Sequence, residues 1–297
     1  MKKKIENLDD MFPSEQSLKE KQQDYEKVFL KKPRLSHYKI IKSGNVFEVY
    51  HSKHPVGRNL MSSNRPSKGK SHKKKIHANS IRRARNNVAR IINSNVWRYK
   101  YLDQGVYTPQ FITLTFRENV TRISVANYYF NKFIKRLNYQ LGLKKRDNIQ
   151  YINIIEFQKN GRVHFHAIFF NLFLLKNERK DRWLANIWSH GFIEVEPLKK
   201  SKNIAGYLTK YLTKDTIDER LLTKKKYYCS RGIKRPLIIN EEVLADQLVM
   251  KLGNYEREYS TEHKLPNGNV INYATYILED EEVNELGYFT PPVFFDE

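Results

Sequence analysis

The sequence predicts an α+β fold in which a central antiparallel β-sheet is flanked by helices. Phe111–Phe116 alternates apolar and polar residues and is rich in strand formers, which is typical of a half-buried strand. Tyr151–Phe157 and Val163–Phe170 are two further strand-like runs, joined by the Asn-Gly turn of Lys159–Arg162. Between the first strand and this hairpin, Arg122–Leu141 has the apolar spacing of a helix.

Later segments continue the mixed pattern. Arg179–His190 predicts a helix closed by a glycine, and Phe192–Glu196 predicts a short strand ended by proline. Ser201 is a suitable N-cap for a helix that runs through Lys214. The resulting order, β-α-β-β-α-β-α, favours helices packed on an antiparallel sheet. Pro266–Asn269 predicts another hairpin near the end of the chain.

Composition favours a polyanionic partner. The chain has 297 residues, 54 of them Lys or Arg against 32 Asp or Glu, and a net charge of +22. Such an excess favours binding to nucleic acid, because each neutralised phosphate releases counterions. A basic protein with no nucleic-acid role is the alternative. The single cysteine, Cys229, excludes a disulfide within the chain and a multi-cysteine zinc site.

No apolar run in the sequence is long enough to span a bilayer. The longest, Phe165–Leu175, is interrupted by polar residues and falls short of the ~20 apolar residues that a membrane helix needs. Acidic residues follow the first lysines where a signal peptide would need an apolar stretch. The sequence therefore predicts a cytoplasmic protein without a membrane partner.

Charge and the strand and helix pattern divide the chain into three predicted regions: a basic N-terminal region 1–104, a mixed α/β domain 105–278 and an acidic tail 279–297. Val49–Leu102 carries 14 Lys or Arg and no Asp or Glu. We expect a flexible basic loop around Lys68–Lys75, followed by a helix over Asn79–Asn93. The arginines of this helix are expected to contact DNA, with a solvated surface helix as the alternative. They are Arg82, Arg83, Arg85 and Arg90.

The acidic end has the opposite character. Ile277–Glu297 contains seven acidic residues and no basic residue, together with prolines and aromatics. The composition predicts a poorly ordered tail. Three roles are open for it: recruiting a partner protein, folding back over the basic surface, or only keeping the protein soluble.

His164 and His166 form a candidate metal site. Residues two apart on a strand face the same side, so both imidazoles would point to one place. Glu156 ends the preceding strand, and the turn brings it back towards His164. Two imidazoles and a carboxylate would leave coordination positions open, which suits Mg²⁺ or Mn²⁺. The alternative is a pair of ordinary histidines beside a surface salt bridge.

A tandem repeat, Tyr207–Lys214, supplies candidate nucleophiles. Tyr207 and Tyr211 would share one face of the expected helix, with Lys210 and Lys214 interleaved. A tyrosine hydroxyl has a high pKa, and a nearby ammonium favours the phenolate and stabilises charge on a phosphate. Tyr-x-x-x-Tyr alone is a weak signal, since Tyr255 and Tyr259 form a second pair, and an amphipathic surface helix is the alternative.

Three blocks in this order resemble the HUH endonuclease superfamily. They are Phe111–Phe116, the His-Phe-His triplet 164–166 and Tyr207–Lys214. The two-tyrosine pattern with lysines resembles the replication initiators of small single-stranded DNA phages of the microvirus type and of related plasmids. Ser230–Pro236 resembles a segment that follows the tyrosines in those proteins, and its Arg231 and Lys234 are candidate DNA contacts.

The resemblance implies a fold, a chemistry and partners. The fold would have a ferredoxin-like, RRM-like sheet with His164, His166 and Glu156 holding the metal. Tyr207 or Tyr211 would attack single-stranded origin DNA, leaving a 5′-phosphotyrosine and a free 3′-hydroxyl that primes rolling-circle replication. The displaced strand would then be rejoined without ATP. A host polymerase and helicase would be partners.

Two other functions fit parts of the sequence. A two-tyrosine transposase of the same superfamily would have the same site residues, although such transposases usually carry cysteine-based zinc modules. A non-catalytic nucleic-acid-binding protein would use its histidines and tyrosines only for packing or stacking.

Overall fold

The computed structural model describes residues 35–57, 70–98, 109–143, 148–172, 180–198, 204–212, 219–221 and 224–286. Over these residues the chain forms two antiparallel five-stranded sheets with six α-helices, which confirms the predicted α+β class. The strands are β1 (Leu35–Ser43), β2 (Val46–Gly57), β3 (Gln110–Thr115), β4 (Tyr151–Phe157), β5 (Val163–Phe169), β6 (Ile193–Pro197), β7 (Tyr227–Cys229), β8 (Leu237–Ile239), β9 (Tyr259–Lys264) and β10 (Val270–Ile277). The helices are α1 (Lys70–Arg98), α2 (Ile123–Gln140), α3 (Lys180–Trp188), α4 (Ile204–Thr209), α5 (Glu242–Leu252) and α6 (Asp280–Glu285).

The first sheet, called here the central sheet, has the strand order β6-β3-β5-β4-β7. Its chain order β3-α2-β4-β5-α3-β6 is the β-α-β-β-α-β connectivity of ferredoxin-like folds. The hairpin β4–β5 turns at Gly161, whose φ of +82° lies in the left-handed region that glycine adopts without strain. These elements lie within a few residues of the positions that the sequence predicts.

One face of the central sheet is closed by α2 and α3. Helix α2 buries Phe130 and Phe133 against Phe165 of β5, because its apolar residues recur at helical spacing. Trp188 at the end of α3 is fully buried in the same core, and its indole nitrogen donates to the carbonyl of Thr115. Burying aromatic side chains of this size stabilises the layer by about 2–3 kcal/mol each.

The opposite face of the central sheet is covered only in part. Ile91 and Ile92 of α1, with Leu208 of α4, pack on the apolar residues Ile154 and Ile168 of this face. Since strand residues alternate between faces, the side chains of Glu156, His164 and His166 project on this side too, at the end of the β4–β5 hairpin.

The second sheet has the order β8-β1-β2-β10-β9, and the sequence predicts none of it apart from the β9–β10 hairpin. It has its own core, in which Ile40 and Phe47 pack against Leu248 of α5 and Val283 of α6. Strands close to the two ends of the described chain meet here, since β2 pairs with β10 along Val46–Ser52.

Helix α1 lies between the two sheets and corrects two predictions. It begins at Lys70, so 70–75 is helical and not part of a loop, and it extends beyond the predicted Asn79–Asn93. Its 29 residues span about 43 Å. Besides contacting the central sheet, it packs Trp97 on the core of the second sheet and pairs Arg90 with Glu48 of β2 at 2.6 Å.

The beginning of the acidic segment is folded, which corrects the prediction of a poorly ordered tail for those residues. Ile277 belongs to β10, and α6 starts where the backbone nitrogen of Glu279 donates to the side chain of Glu282. Val283 and Leu286 are buried in the core of the second sheet. Residues 287–297, like residues 1–34, lie outside the described part of the chain. Among the described helices, none combines the length and apolar character that a membrane span requires.

Candidate metal and tyrosine site

The β4–β5 hairpin brings the three predicted ligands together. Glu156 lies directly across from His164 in the antiparallel register, and His166 is two residues further along the same strand and face. One ligand atom from each residue lies within 4.8 Å of the others. The geometry follows from the Asn-Gly turn, which fixes the register of the hairpin, and from the two-residue period of the strand.

The electrostatics of the three side chains suit a cation. Oε2 of Glu156 lies 2.6 Å from Nε2 of His166, and this hydrogen bond is the largest cause of a lowered pKa at Glu156. Burial lowers the pKa of His164, and the neighbouring His166 lowers it further, so the ring stays neutral near pH 7. Nε2 of His164 is buried and has no hydrogen-bond partner among the described residues. A buried imidazole nitrogen without a partner is unfavourable unless an ion or water completes it.

Thr113 is a site residue that the sequence reasoning missed. It pairs with His166 across β3 and β5, and its Oγ1 lies 3.3 Å from Nδ1 of His166. A partner on the second ring nitrogen fixes the ring's orientation and tautomer, as is usual for histidines that bind metals. The alternation in Phe111–Phe116 shows that Thr113 faces away from the apolar residues on either side of it. It does not show that β3 lies beside β5, and without that pairing Thr113 could not be assigned to the histidine site.

Tyr211 lies against His166. Its ring stacks on His166 with the centroids 3.7 Å apart and the planes 8° from parallel. Phe111 continues the parallel arrangement, with its centroid 6.3 Å from that of Tyr211. Helix α4 ends at Thr209, so Tyr211 is in the turn that follows and not in a helix through Lys214, which corrects the prediction from the sequence.

Lys210 is the cation next to the Tyr211 hydroxyl. Its Nζ lies 5.0 Å from the centroid of the Tyr211 ring, and its side chain hydrogen-bonds to the hydroxyl. Burial raises the pKa of Tyr211, and the negative charge of Glu156 raises it further. Lys210 lowers this pKa, both through its positive charge and through its hydrogen bond. Tyr207 lies in α4, where only its backbone is described, and Lys214 falls outside the described residues.

The basic residues predicted to contact DNA divide into three groups. Arg82, Arg83 and Arg85 are exposed on α1. Arg90 is instead half-buried, donates through Nε and Nη2 to the Glu48 carboxylate, and does not share that surface. Arg231 is exposed. The backbone nitrogen of Ser230 donates to the Tyr151 carbonyl, which places Arg231 beside the first residues of β4. Glu156 lies near the other end of that strand, so Arg231 is at a distance from the metal ligands.

The backbone of Lys234 hydrogen-bonds to α1. Its amide nitrogen donates to Oδ1 of Asn95, and its carbonyl accepts from Nδ2 of the same side chain. Burial lowers the pKa of the Lys234 ammonium, and the neighbouring Arg98 lowers it further. The structure does not bring Lys234 to the Glu156, His164 and His166 cluster, so any contact with DNA would be made elsewhere.

Comparison with protein families gives a match where the site residues lie. Residues 109–216 match the model of the replication-associated protein ORF2 family. This confirms, for that stretch, the resemblance to rolling-circle replication initiators. Comparison with curated proteins and comparison with solved structures each gave no match.

The family match covers one compact part of the molecule. It begins just before β3 and ends after the tyrosine repeat, so it contains Glu156, both histidines, Tyr207 and Tyr211. It leaves out helix α1 and the whole second sheet. The match therefore indicates a role in replication initiation for the part of the chain that carries the cluster, and it assigns nothing to the rest.

Proposed function

We propose that this chain initiates rolling-circle replication by nicking single-stranded origin DNA through a metal-dependent attack by tyrosine. The observation that carries the proposal is the convergence of Glu156, His164 and His166, with the ring of Tyr211 stacked on His166. All four residues lie in the stretch that matches replication-associated proteins. That match also favours an initiator over a transposase.

The ligand set fits a divalent cation such as Mg²⁺ or Mn²⁺. Two imidazoles and one carboxylate provide three donors on one side and leave other coordination positions open. The unpartnered Nε2 of His164 supports the fit, since a coordinated cation would complete it. When bound, such an ion acts as a Lewis acid that polarises a phosphoryl oxygen.

The chain's own residues would position the nucleophile. Stacking on His166 holds the Tyr211 ring in one orientation, so that little conformational freedom is lost as the scissile phosphate binds. The ammonium of Lys210 favours the phenolate and lies where it can stabilise negative charge on the phosphate. Lys214, which lies outside the described residues, is the second lysine that we propose to act on the phosphate.

The reaction exchanges one phosphodiester for another. The phenol oxygen forms a bond to phosphorus as its proton leaves, and the bond from phosphorus to the 3′ oxygen breaks. That oxygen takes up a proton and becomes the free 3′-hydroxyl, while the 5′ phosphate stays on tyrosine. Tyr207, four residues before Tyr211, would serve the second cut after one circuit. The 3′-hydroxyl freed by the second cut would then attack the phosphotyrosine made by the first, which rejoins the strand and releases the first tyrosine as a free phenol.

A covalent adduct tests the proposal. Incubation with single-stranded origin DNA and Mn²⁺ should give a protein–DNA band that survives a denaturing gel and requires the metal. The double change Tyr207→Phe and Tyr211→Phe should remove the band, because phenylalanine has no oxygen to attack with.

A matched control comes from the second tyrosine pair. Tyr255→Phe with Tyr259→Phe makes the same chemical change at the same spacing, outside the cluster, and should leave the adduct intact. An adduct that persists in the Tyr207 and Tyr211 double variant would contradict the assignment of nucleophiles.

Unwinding and synthesis would come from host proteins. No step above forms or consumes ATP, so a host helicase would open the duplex and a host polymerase would extend the 3′-hydroxyl. Residues 287–297 carry acidic, aromatic and proline residues suited to docking on such a partner.

A further inference from the structure

A groove between α2 and α3 lies on the opposite side of the central sheet from the histidine cluster. Both helices pack on the sheet face that carries Phe165, whereas His164 and His166 project from the other face. The groove contains a cavity of about 430 Å³. This volume is within the range of small-ligand sites. Its lining includes Lys135, Arg136, Tyr139 and Gln140 of α2 with Trp183 and Asn186 of α3.

The exposed surface of α2 continues the groove as a stripe of aromatic and basic side chains. Tyr128, Lys132, Lys135 and Tyr139 are all exposed and recur at spacings of four, three and four, so they share one helical face. Tyr139 is 83% exposed, and Tyr128 is 57% exposed. Nζ of Lys132 lies 5.4 Å from the centroid of the Tyr128 ring. From Tyr128 to Tyr139 the stripe is about 16 Å long, roughly five nucleotides of a stacked strand.

The described lining of the groove and the stripe on α2 carry positive charge only. The sequence contains no Asp or Glu from Asn119 to Arg146, and none of the residues lining the cavity is acidic. Arg136 is fixed in the groove wall, where its guanidinium donates to the Trp188 carbonyl and to Oγ of Ser189. The wall is therefore pre-ordered, and Lys135 and Tyr139 remain exposed beside it.

We propose that this groove is a second binding site for single-stranded DNA, separate from the site of cleavage, with one base stacked in the cavity against Tyr139 or Trp183. Sequence-tolerant binding of single strands combines aromatic platforms with a basic track for the phosphates, and both are present. An acidic protein partner would account for the lysines, which complement its negative charge. It would not account for the exposed tyrosines, whereas bases of a single strand can stack on them. The proposal rests on the proposed function for its ligand, since a nicking enzyme must keep hold of the strand away from the cut.

The test measures binding without cleavage. Full-length protein is titrated, in EDTA, into a fluorescein-labelled oligothymidylate that contains no origin, and anisotropy is followed at several salt concentrations. Lys135→Gln with Tyr139→Ala should weaken binding by about 5- to 150-fold, the range for one stacked base. The salt slope should fall by about 0.7 for the lost phosphate contact. Tyr139→Phe alone, which keeps a ring, should bind like the wild type.

A matched control removes the same groups elsewhere. Lys264→Gln with Tyr259→Ala changes an exposed lysine and an exposed tyrosine on β9, and should leave affinity unchanged. An oligonucleotide of the same length without bases should bind the wild type more weakly than the intact one, because it has no base to stack. Binding should also quench tryptophan fluorescence, and Trp183→Phe should remove most of that quenching.

Three results would overturn the proposal: equal affinity of the groove variant and the wild type, equal weakening in the β9 control, or displacement of the DNA by an equimolar polyglutamate peptide. The last would assign the groove to an acidic protein. Because the titration lacks metal and origin, its outcome is independent of the adduct assay. Nicking could therefore fail while the groove still binds, and the groove could fail while nicking persists.

Discussion

Thr113→Val tests whether the residue behind His166 tunes the candidate metal site. Oγ1 of Thr113 lies 3.3 Å from Nδ1 of His166, while Nε2 of that ring faces Glu156. If Nε2 were a ligand to a cation, the ring proton would be on Nδ1, where it could be donated to the threonine oxygen. Valine has nearly the shape of threonine and is a strong strand former, so the change removes the acceptor and leaves β3 in place.

The magnitude follows from the single bond lost. A neutral hydrogen bond contributes about 0.5–1.5 kcal/mol net, which corresponds to a roughly 2- to 12-fold weaker affinity for Mn²⁺. The long distance between the two atoms favours the lower part of this range. Titration of the protein with Mn²⁺ by calorimetry, or by the decrease of the free-ion electron paramagnetic resonance signal, measures it directly.

Thr113→Ser is the matched control, because it keeps the hydroxyl and removes only a methyl group. We expect its Mn²⁺ affinity to stay within about twofold of the wild type, since the hydrogen bond is retained. If valine binds Mn²⁺ as tightly as threonine, Thr113 does not act through His166. If serine and valine are weakened equally, the effect comes from packing in β3 and the reasoning is wrong.

Three further changes probe the other parts of the chain. His164→Ala should abolish adduct formation and leave most of the affinity for single-stranded DNA, because backbone charge supplies that affinity; equal loss of both would argue against a catalytic metal. Neutralising the exposed arginines of α1 should lower the salt slope of DNA binding by about 0.7–0.9 per lost phosphate contact, and an unchanged slope would show that α1 is not involved. The residues are Arg82, Arg83 and Arg85. Protonation of His164 would compete with cation binding, and burial lowers the pKa of this residue, so its competition with Mn²⁺ should begin only below the usual histidine pKa of about 6.5. A Mn²⁺ titration across pH 5–8 checks this, and loss of affinity already at pH 7 would contradict it.

The parts of the fold that the sequence predicts are those specified by neighbouring residues. The β4–β5 hairpin is set by alternation and by the turn at Gly161, so the meeting of Glu156 and His164 could be inferred without knowledge of the remaining fold. Helix α2 is likewise indicated by its own apolar spacing. These signals act over a few residues, where geometry leaves little choice.

The second sheet could not be predicted because its pairings are long-range. β2 pairs with β10 more than two hundred residues later, and nothing in either strand indicates its partner. The same limit applies to Arg90, which has the sequence context of a DNA contact but pairs with Glu48, the acidic residue just before the basic segment. Thr113 belongs to this group too, since its role depends on which strand lies beside β3.

The arrangement of the site determines which substitutions can distinguish the loss of a nucleophile from the displacement of a metal ligand. Because the Tyr211 ring stacks on His166, it shapes the histidine cluster as well as offering a hydroxyl. Tyr211→Ala would remove both contributions, and a loss of nicking in that variant would not distinguish a missing nucleophile from a displaced ligand. Tyr211→Phe keeps the stack and removes only the oxygen, so Mn²⁺ affinity should be unchanged while any adduct at this position is lost. Measuring Mn²⁺ affinity in the same variant that is assayed for nicking is therefore necessary before either residue can be assigned its role.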